Sequence, residues 1–181
     1  MWRICGASGT QWYGPARTML IVFSGLSGTG KTTIARELAR QIDAVYLRID
    51  SIEQALRGQG AAVEGEGYAI AHAIAEDNLR LGHVVVADCV NPWPLTRDAW
   101  RAVAARAGVP SIDVEIVCSD AAEHRRRVER RQPDIDGHVL PTWAETVARD
   151  YHPWDGALLQ IDTAHVPAEE AVRRIRATMR V

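Results

Sequence analysis

Apolar and polar positions along the chain switch period repeatedly between the two classes of regular structure. Met19-Leu20-Ile21-Val22-Phe23 is an unbroken apolar run, the pattern of a strand covered on both faces, and it predicts a first strand over about 19–24. Ile34-Ala35-Arg36-Glu37-Leu38-Ala39-Arg40 has the three-to-four spacing of a helix, predicted over about 31–41. Val45 to Ile49 reads as a second strand ending at Asp50, and Ser51 to Arg57 as a helix. Gly58, Gly60, Gly65 and Gly67 interrupt the pattern before an amphipathic helix from Tyr68 to Leu81, closed by Gly82. Val84-Val85-Val86-Ala87 predicts a buried strand ending at Asp88, and Asn91-Pro92-Trp93-Pro94 a turn. Leu95 to Ala107 reads as a helix, Ile112 to Cys118 as a fourth strand, Asp120 to Arg131 as a strongly basic helix and Gln132 to Pro141 as a loop. Trp143 to Tyr151 follows as a short helix, Leu158 to Asp162 as a fifth strand and Glu169 to Met179 as a closing helix. Strand alternating with helix implies right-handed crossovers and one parallel sheet sandwiched between two helical layers, with ligands bound at the carboxyl ends of the strands.

Composition narrows the classes. A chain of 181 residues fits one α/β domain, and a net charge of −2 gives no overall pull toward nucleic acid or anionic membrane. No apolar run approaches the roughly 20 residues of a membrane helix. Cys5, Cys89 and Cys118 are widely spaced and form no C-x-x-C pair, which argues against a disulfide framework or a zinc site and points to a reducing cytosol. Residues 1–18 show no sustained period; they read as an N-terminal extension outside catalysis, with Met19 a candidate start and 19–181 the working domain.

Gly25-Leu26-Ser27-Gly28-Thr29-Gly30-Lys31-Thr32 satisfies G-x-x-x-x-G-K-[ST] between a strand and a helix. Glycines let the backbone turn tightly enough for successive N–H groups to face a triphosphate. The helix beginning near Lys31 adds its positive end, Lys31 reaches the β/γ-phosphates, and the Thr32 hydroxyl is placed to ligate Mg²⁺. Gly28, Thr29, Gly30, Lys31, Thr32 and Thr33 are therefore the nucleotide-binding candidates. Asp88, closing four apolar residues, has the pattern of a carboxylate that holds Mg²⁺ directly or through water; a plain turn residue is the alternative.

Asp50, just past the second strand, is placed either to activate an acceptor hydroxyl in line with the γ-phosphate or to cap the following helix. Arg57, two turns on, faces an anionic acceptor or solvent. In His124-Arg125-Arg126-Arg127-Val128-Glu129-Arg130-Arg131, Arg127 and Arg131 lie one turn apart, as do Arg126 and Arg130; one pair can clamp phosphates beneath a closing lid of about 125–141, the others forming a solvated face. Asp134, Asp136, His72, His138, His152 and His165 have no metal-site spacing and read as turn or surface residues; Trp93, Trp100, Trp143 and Trp154 read mainly as packing.

These residues resemble the P-loop small-molecule kinases, the nucleoside-monophosphate-kinase-like group that includes adenylylsulfate kinase, gluconate kinase, chloramphenicol phosphotransferase and the kinase half of polynucleotide kinase. Val86-Ala87-Asp88-Cys89-Val90-Asn91-Pro92, Thr96-Arg97-Asp98-Ala99-Trp100, His124 to Glu129 and Leu140-Pro141-Thr142-Trp143 look most like a bacterial branch of predicted kinases. The resemblance covers about residues 19–180. It implies a five-stranded parallel sheet in the order 2-3-1-4-5, ATP with Mg²⁺ as donor, a small-molecule acceptor and an arginine-bearing lid. By position Asp50 matches the acceptor-activating aspartate, and Asn91 and Arg97 become acceptor contacts. The family often places an arginine within one turn of that aspartate; here Glu53 and Gln54 stand there instead.

Three functions compete on this evidence: an ATP-dependent kinase acting on a small-molecule hydroxyl, a nucleotide-dependent regulatory ATPase that binds a protein partner, and a nucleic-acid end kinase. Near-neutral charge counts against the last, and the missing Asn/Thr-Lys-x-Asp signature favours ATP over GTP.

Overall fold

The computed structural model describes residues 18–154 and 159–179. The proposed N-terminal extension, apart from Thr18, and the predicted first residue of the fifth strand, Leu158, lie outside the described residues. Strands β1 (Leu20–Ser24), β2 (Val45–Arg48), β3 (Val85–Asp88), β4 (Ser111–Val117) and β5 (Leu159–Asp162) form one sheet in the order β2-β3-β1-β4-β5, every neighbouring pair parallel. Helices α1 (Lys31–Ile42), α2 (Ile49–Gly58), α3 (Glu66–Arg80), α4 (Pro94–Ala107), α5 (Ala121–Arg130), α6 (Trp143–Val147) and α7 (Ala168–Thr178) complete the three-layer α/β/α fold.

The apolar run of β1 is buried at every position because the strand is central and both its faces are covered. Its alternation divides the core: Ile21 and Phe23 meet Ile34 and Leu38 of α1 and Val172 and Ile175 of α7, while Leu20 and Val22 meet Ala71, Ala75 and Leu79 of α3 and Trp100 and Val103 of α4. The hinge of this arrangement is the carboxyl edge of β1, where the chain leaves for β2 on one side and returns later to β4 on the other.

Two boundaries differ from the sequence reading in ways that matter. Helix α2 starts at Ile49, directly after β2, so Asp50 sits in its first turn. Helix α6 ends at Val147 and not near Tyr151, because residues 150–154 are drawn into a strap over α4, with the His152 N–H bonded to Pro92 O and the Arg97 guanidinium bonded to the carbonyls of His152 and Pro153. A helix through this segment would need those carbonyls for itself. Among the described residues no helix is long and apolar enough to cross a membrane, and Cys89 and Cys118 are free.

Candidate active site

Between β1 and α1 the backbone takes a path that side chains forbid. Gly25 has φ 137° and a Cβ there would run into Ile116 O; Gly28 has φ 82° and a Cβ would lie 2.5 Å from Val128 of α5. The loop is thus pressed between β4 and α5, and three of its oxygens are pinned. Thr29 donates to Leu26 O at 3.0 Å, Thr163 donates to Thr29 O at 2.7 Å, and His124 Nε2 bonds Ser27 O at 2.7 Å. Gly28, Gly30, Lys31, Thr32 and Thr33 line a cavity of about 1260 Å³ at the sheet's carboxyl edge. The Thr29 side chain does not: it is buried and turned back on the loop, so of the predicted nucleotide contacts it is the one left with only its backbone to offer.

Lys31 Nζ donates to Asp88 Oδ1 at 2.8 Å and the Tyr46 hydroxyl to Asp88 Oδ2 at 2.6 Å, both beneath the loop. Burial works against charge on Asp88, yet Lys31 and the hydrogen bonds from Tyr46 and Thr32 outweigh it and hold the carboxyl below its usual range. The same burial, with Asp88 alongside, pushes the Tyr46 hydroxyl well up, so it remains a donor. The Thr32 hydroxyl is close enough to help lower the Asp88 pKa, and a hydroxyl with an ionised carboxylate suits a hard, largely hydrated cation such as Mg²⁺. Among the described residues no group of three or more His, Cys, Asp or Glu side chains could hold a metal.

Asp50 lines the same cavity as Lys31. It is not a helix cap: Arg48 occupies that position, and Asp50 is one residue inside the helix. Arg57 also lines the cavity, paired with Glu53 at 3.0 Å across one turn. On α5, whose N-cap Asp120 accepts from the N–H groups of Ala122 and Glu123, Arg127 and Arg131 both turn toward the phosphate loop. Arg131 donates to Ser27 Oγ at 2.9 Å, and Arg127 to Thr163 Oγ1 at 2.8 Å and Thr163 O at 3.1 Å; Arg125 instead pairs with Glu129 in solvent. Lys31 and seven arginines line the cavity against four carboxylates, Asp50, Glu53, Asp134 and Glu145. The surplus of positive charge fits an anionic occupant.

The acceptor contacts expected at Asn91 and Arg97 are corrected by the structure. Asn91 is fully buried with φ 52°, donates to Ser24 Oγ at 3.0 Å and does not line the cavity. Arg97 is 2% exposed; its guanidinium donates to the carbonyl oxygens of Asn91, Pro92, His152 and Pro153 and lies 4.1 Å over the Trp154 ring. With four of its five N–H donors committed to backbone carbonyls and its face stacked on Trp154, it fastens the 150–154 strap and stands outside the cavity lining.

Sequence reasoning missed three charged residues. Asp134, read as a turn or surface group, accepts two hydrogen bonds from Arg48, at 2.8 and 3.1 Å, and pairs with Arg36 at 2.6 Å; those bonds, Arg48 first, hold its carboxyl down to about 2. Arg48 in turn lies 3.5 Å from Asp50. A signal existed for both arginines: Arg36 is one turn beyond Thr32 on the same helix face, and Arg48 is a charge inside an otherwise apolar strand, level with Asp88 on the neighbouring one.

Known structures repeat this architecture. An APS kinase of Mycobacterium tuberculosis, solved with AMPPNP and APS, is 20% identical with a TM-score of 0.71, the match covering 92% of this chain and 100% of that one. A gluconokinase from Sinorhizobium meliloti is 19% identical with a TM-score of 0.63, over 90% and 92%. The Kti12 protein of Chaetomium thermophilum, solved with ADP-AlF3, is 20% identical with a TM-score of 0.60, over 88% and 98%. At such identities the likeness is one of fold. No curated protein matches the sequence. The family described as AAA domain matches residues 20–149, more than half of the chain; with its glycine-lysine-threonine loop and sheet order the chain belongs to that family and has the P-loop fold of the small-molecule kinases.

Proposed function

We propose that this protein is an ATP-dependent phosphotransferase that moves the γ-phosphate to a hydroxyl of a small-molecule acceptor. The observation that supports it best is that Lys31 and Asp50 open into one continuous cavity, large enough for a nucleotide and a second small molecule. A bare nucleotide switch has no need of a carboxylate facing the end of the triphosphate.

In this reading the amides of Gly28 to Thr33 and the Lys31 ammonium hold the triphosphate, and α1 adds its positive end. Thr32 and Asp88 would hold Mg²⁺, which supplies neutralising charge on the phosphate oxygens when bound. Asp50 orients the acceptor hydroxyl and takes its proton as the oxygen–phosphorus bond forms and the bond from the γ-phosphorus to the β-phosphate oxygen breaks, with ADP leaving. Arg127 and Arg131 flank the nucleotide, and the segment of about 125–141 acts as the lid that excludes water. Residues 1–18 stand outside this machinery. The protein works in a reducing compartment, as its unpaired Cys89 and Cys118 favour.

The first experiment is a thermal-shift screen with AMPPNP, ADP and GTP, followed by hydroxyl acceptors and by oligonucleotides in rising salt, since a ligand that binds only the folded state raises its melting temperature. With the acceptor so found, Asp50→Asn is expected to lower kcat by about 10²- to 10⁴-fold with little change in AMPPNP affinity. An unchanged kcat would remove Asp50 from the reaction. Slow hydrolysis with no acceptor response, and binding to a protein, would favour the regulatory ATPase.

A further inference from the structure

The phosphate loop leaves two arginines unexplained. Arg36 on α1 and Arg48 at the end of β2 come from different elements and converge on the single carboxylate of Asp134. The Arg48 side chain is 1% exposed and its Nε has no hydrogen-bond partner. Burying a guanidinium this deeply is expensive, and a half-exposed loop carboxylate is a weak return if stability were the purpose. Two guanidinium groups presenting several N–H donors to one point are, on the other hand, what an oxyanion requires. The point also lies where an acceptor would sit, since Arg48 is 3.5 Å from Asp50.

Asp134 has the features of an exchangeable occupant. Its side chain is 35% exposed, and the backbone of 132–141 contributes only an internal bond, from the His138 N–H to Ile135 O, among the described residues. The loop is therefore fastened to α1 and β2 largely through this carboxylate. Because the two arginines keep it ionised down to about pH 2, protonation does not release it; another anion must take its place.

We propose that Arg36 and Arg48 form an oxyanion seat for the acceptor, that Asp134 fills the seat until the acceptor's own anionic group displaces it, and that the substrates are hydroxyl compounds carrying a phosphate ester or carboxylate a few bonds from the reacting oxygen. This rests on the phosphotransferase reading. It makes loop 132–141 responsive to the acceptor: arrival of the right anion frees the loop, and a neutral polyol leaves it fastened.

The test uses the full chain saturated with AMPPNP, so that the phosphate loop is filled, titrated calorimetrically with methyl phosphate and with acetate. Asp134→Asn removes the occupant's charge without adding bulk and is expected to tighten binding of one of these anions at least about tenfold over the unaltered protein, by analogy with other charge-assisted contacts. Adding Arg36→Gln, a partly exposed position, should abolish the gain. Which anion responds names the class. The proposal is overturned if Asp134→Asn binds neither anion more tightly, or if the gain survives Arg36→Gln. Should Asp134→Asn fail to fold, hydrogen exchange on the unaltered protein decides: the responding anion must raise exchange of the 132–141 amides, and unchanged exchange with both overturns the seat. Failure to bind AMPPNP would instead count against the phosphotransferase reading.

Discussion

The two halves of the cavity are held together by different physics. On the donor side the phosphate loop follows the central strand directly, its shape set by glycine conformations and hydrogen bonds to its backbone, over a buried Lys31–Asp88 pair. On the acceptor side the 132–141 segment comes from a distant part of the sequence and meets α1 and β2 through charged side chains, Asp134 with Arg36 and Arg48. The first half is preorganised for one kind of ligand. The second is joined by contacts that another charged molecule can replace, which is where specificity has room to change.

That contrast can be broken from the donor side first. Lys31→Ala leaves the ionised Asp88 buried without its cation, and a loss of about 3–5 kcal/mol in urea unfolding is expected, together with loss of AMPPNP binding by calorimetry. Lys31→Met should do the same, since only charge answers charge here. Next comes the strap beneath the acceptor half. Arg97→Ala strands the carbonyl groups of Asn91, His152 and Pro153 and removes the stack on Trp154, so a cost of about 3 kcal/mol is expected from the same unfolding curve, with AMPPNP affinity retained. Full stability in that variant would return Arg97 to the list of acceptor contacts.

A third perturbation uses pH. His72 packs edge-on against Trp100 with its Nε2 buried and unpartnered; burial, with Arg106 nearby, lowers its pKa from the usual 6.5. The unfolded chain therefore takes up a proton at a pH where the native one does not. Stability from this group is complete above about pH 6.5 and is lost as pH falls through that value toward the lower native pKa, at no more than about 1.4 kcal/mol per pH unit. Urea midpoints between pH 7.5 and 5.5 should show the fall, and His72→Gln should flatten it. The smallest effect belongs to Arg57→Ala, where one exposed turn-to-turn pair with Glu53 is lost and stability should change by less than about 0.5 kcal/mol. If acceptor affinity in that variant also stays unchanged, Arg57 has no part in the site.

How much could be read in advance follows the same division. The apolar run of β1, the glycines of the loop and the run ending at Asp88 are local patterns, and each gave its element and its place at the sheet edge. The spacing offered Arg127 with Arg131 or Arg126 with Arg130 as the inward pair; all four line the cavity, and Arg131 does so from the extended residue that ends α5. The roles expected for Asn91 and Arg97 were misplaced because a residue type near a motif does not reveal which way it points; both turned into the interior, where buried carbonyls needed donors. Asp134 was passed over because nothing near it in the chain marks it.

What the sequence determined alone was whatever depends on neighbours within about one turn: strand and helix periods, the tight glycine turn, and the lysine and threonine that follow it. What only the tertiary structure decided was which distant charges share a site, as with Arg36, Arg48, Asp50 and Asp134, and which polar groups were spent on holding the chain together. Charges interact through space and buried donors must find acceptors wherever packing supplies them, so neither outcome is written in any local stretch of the chain.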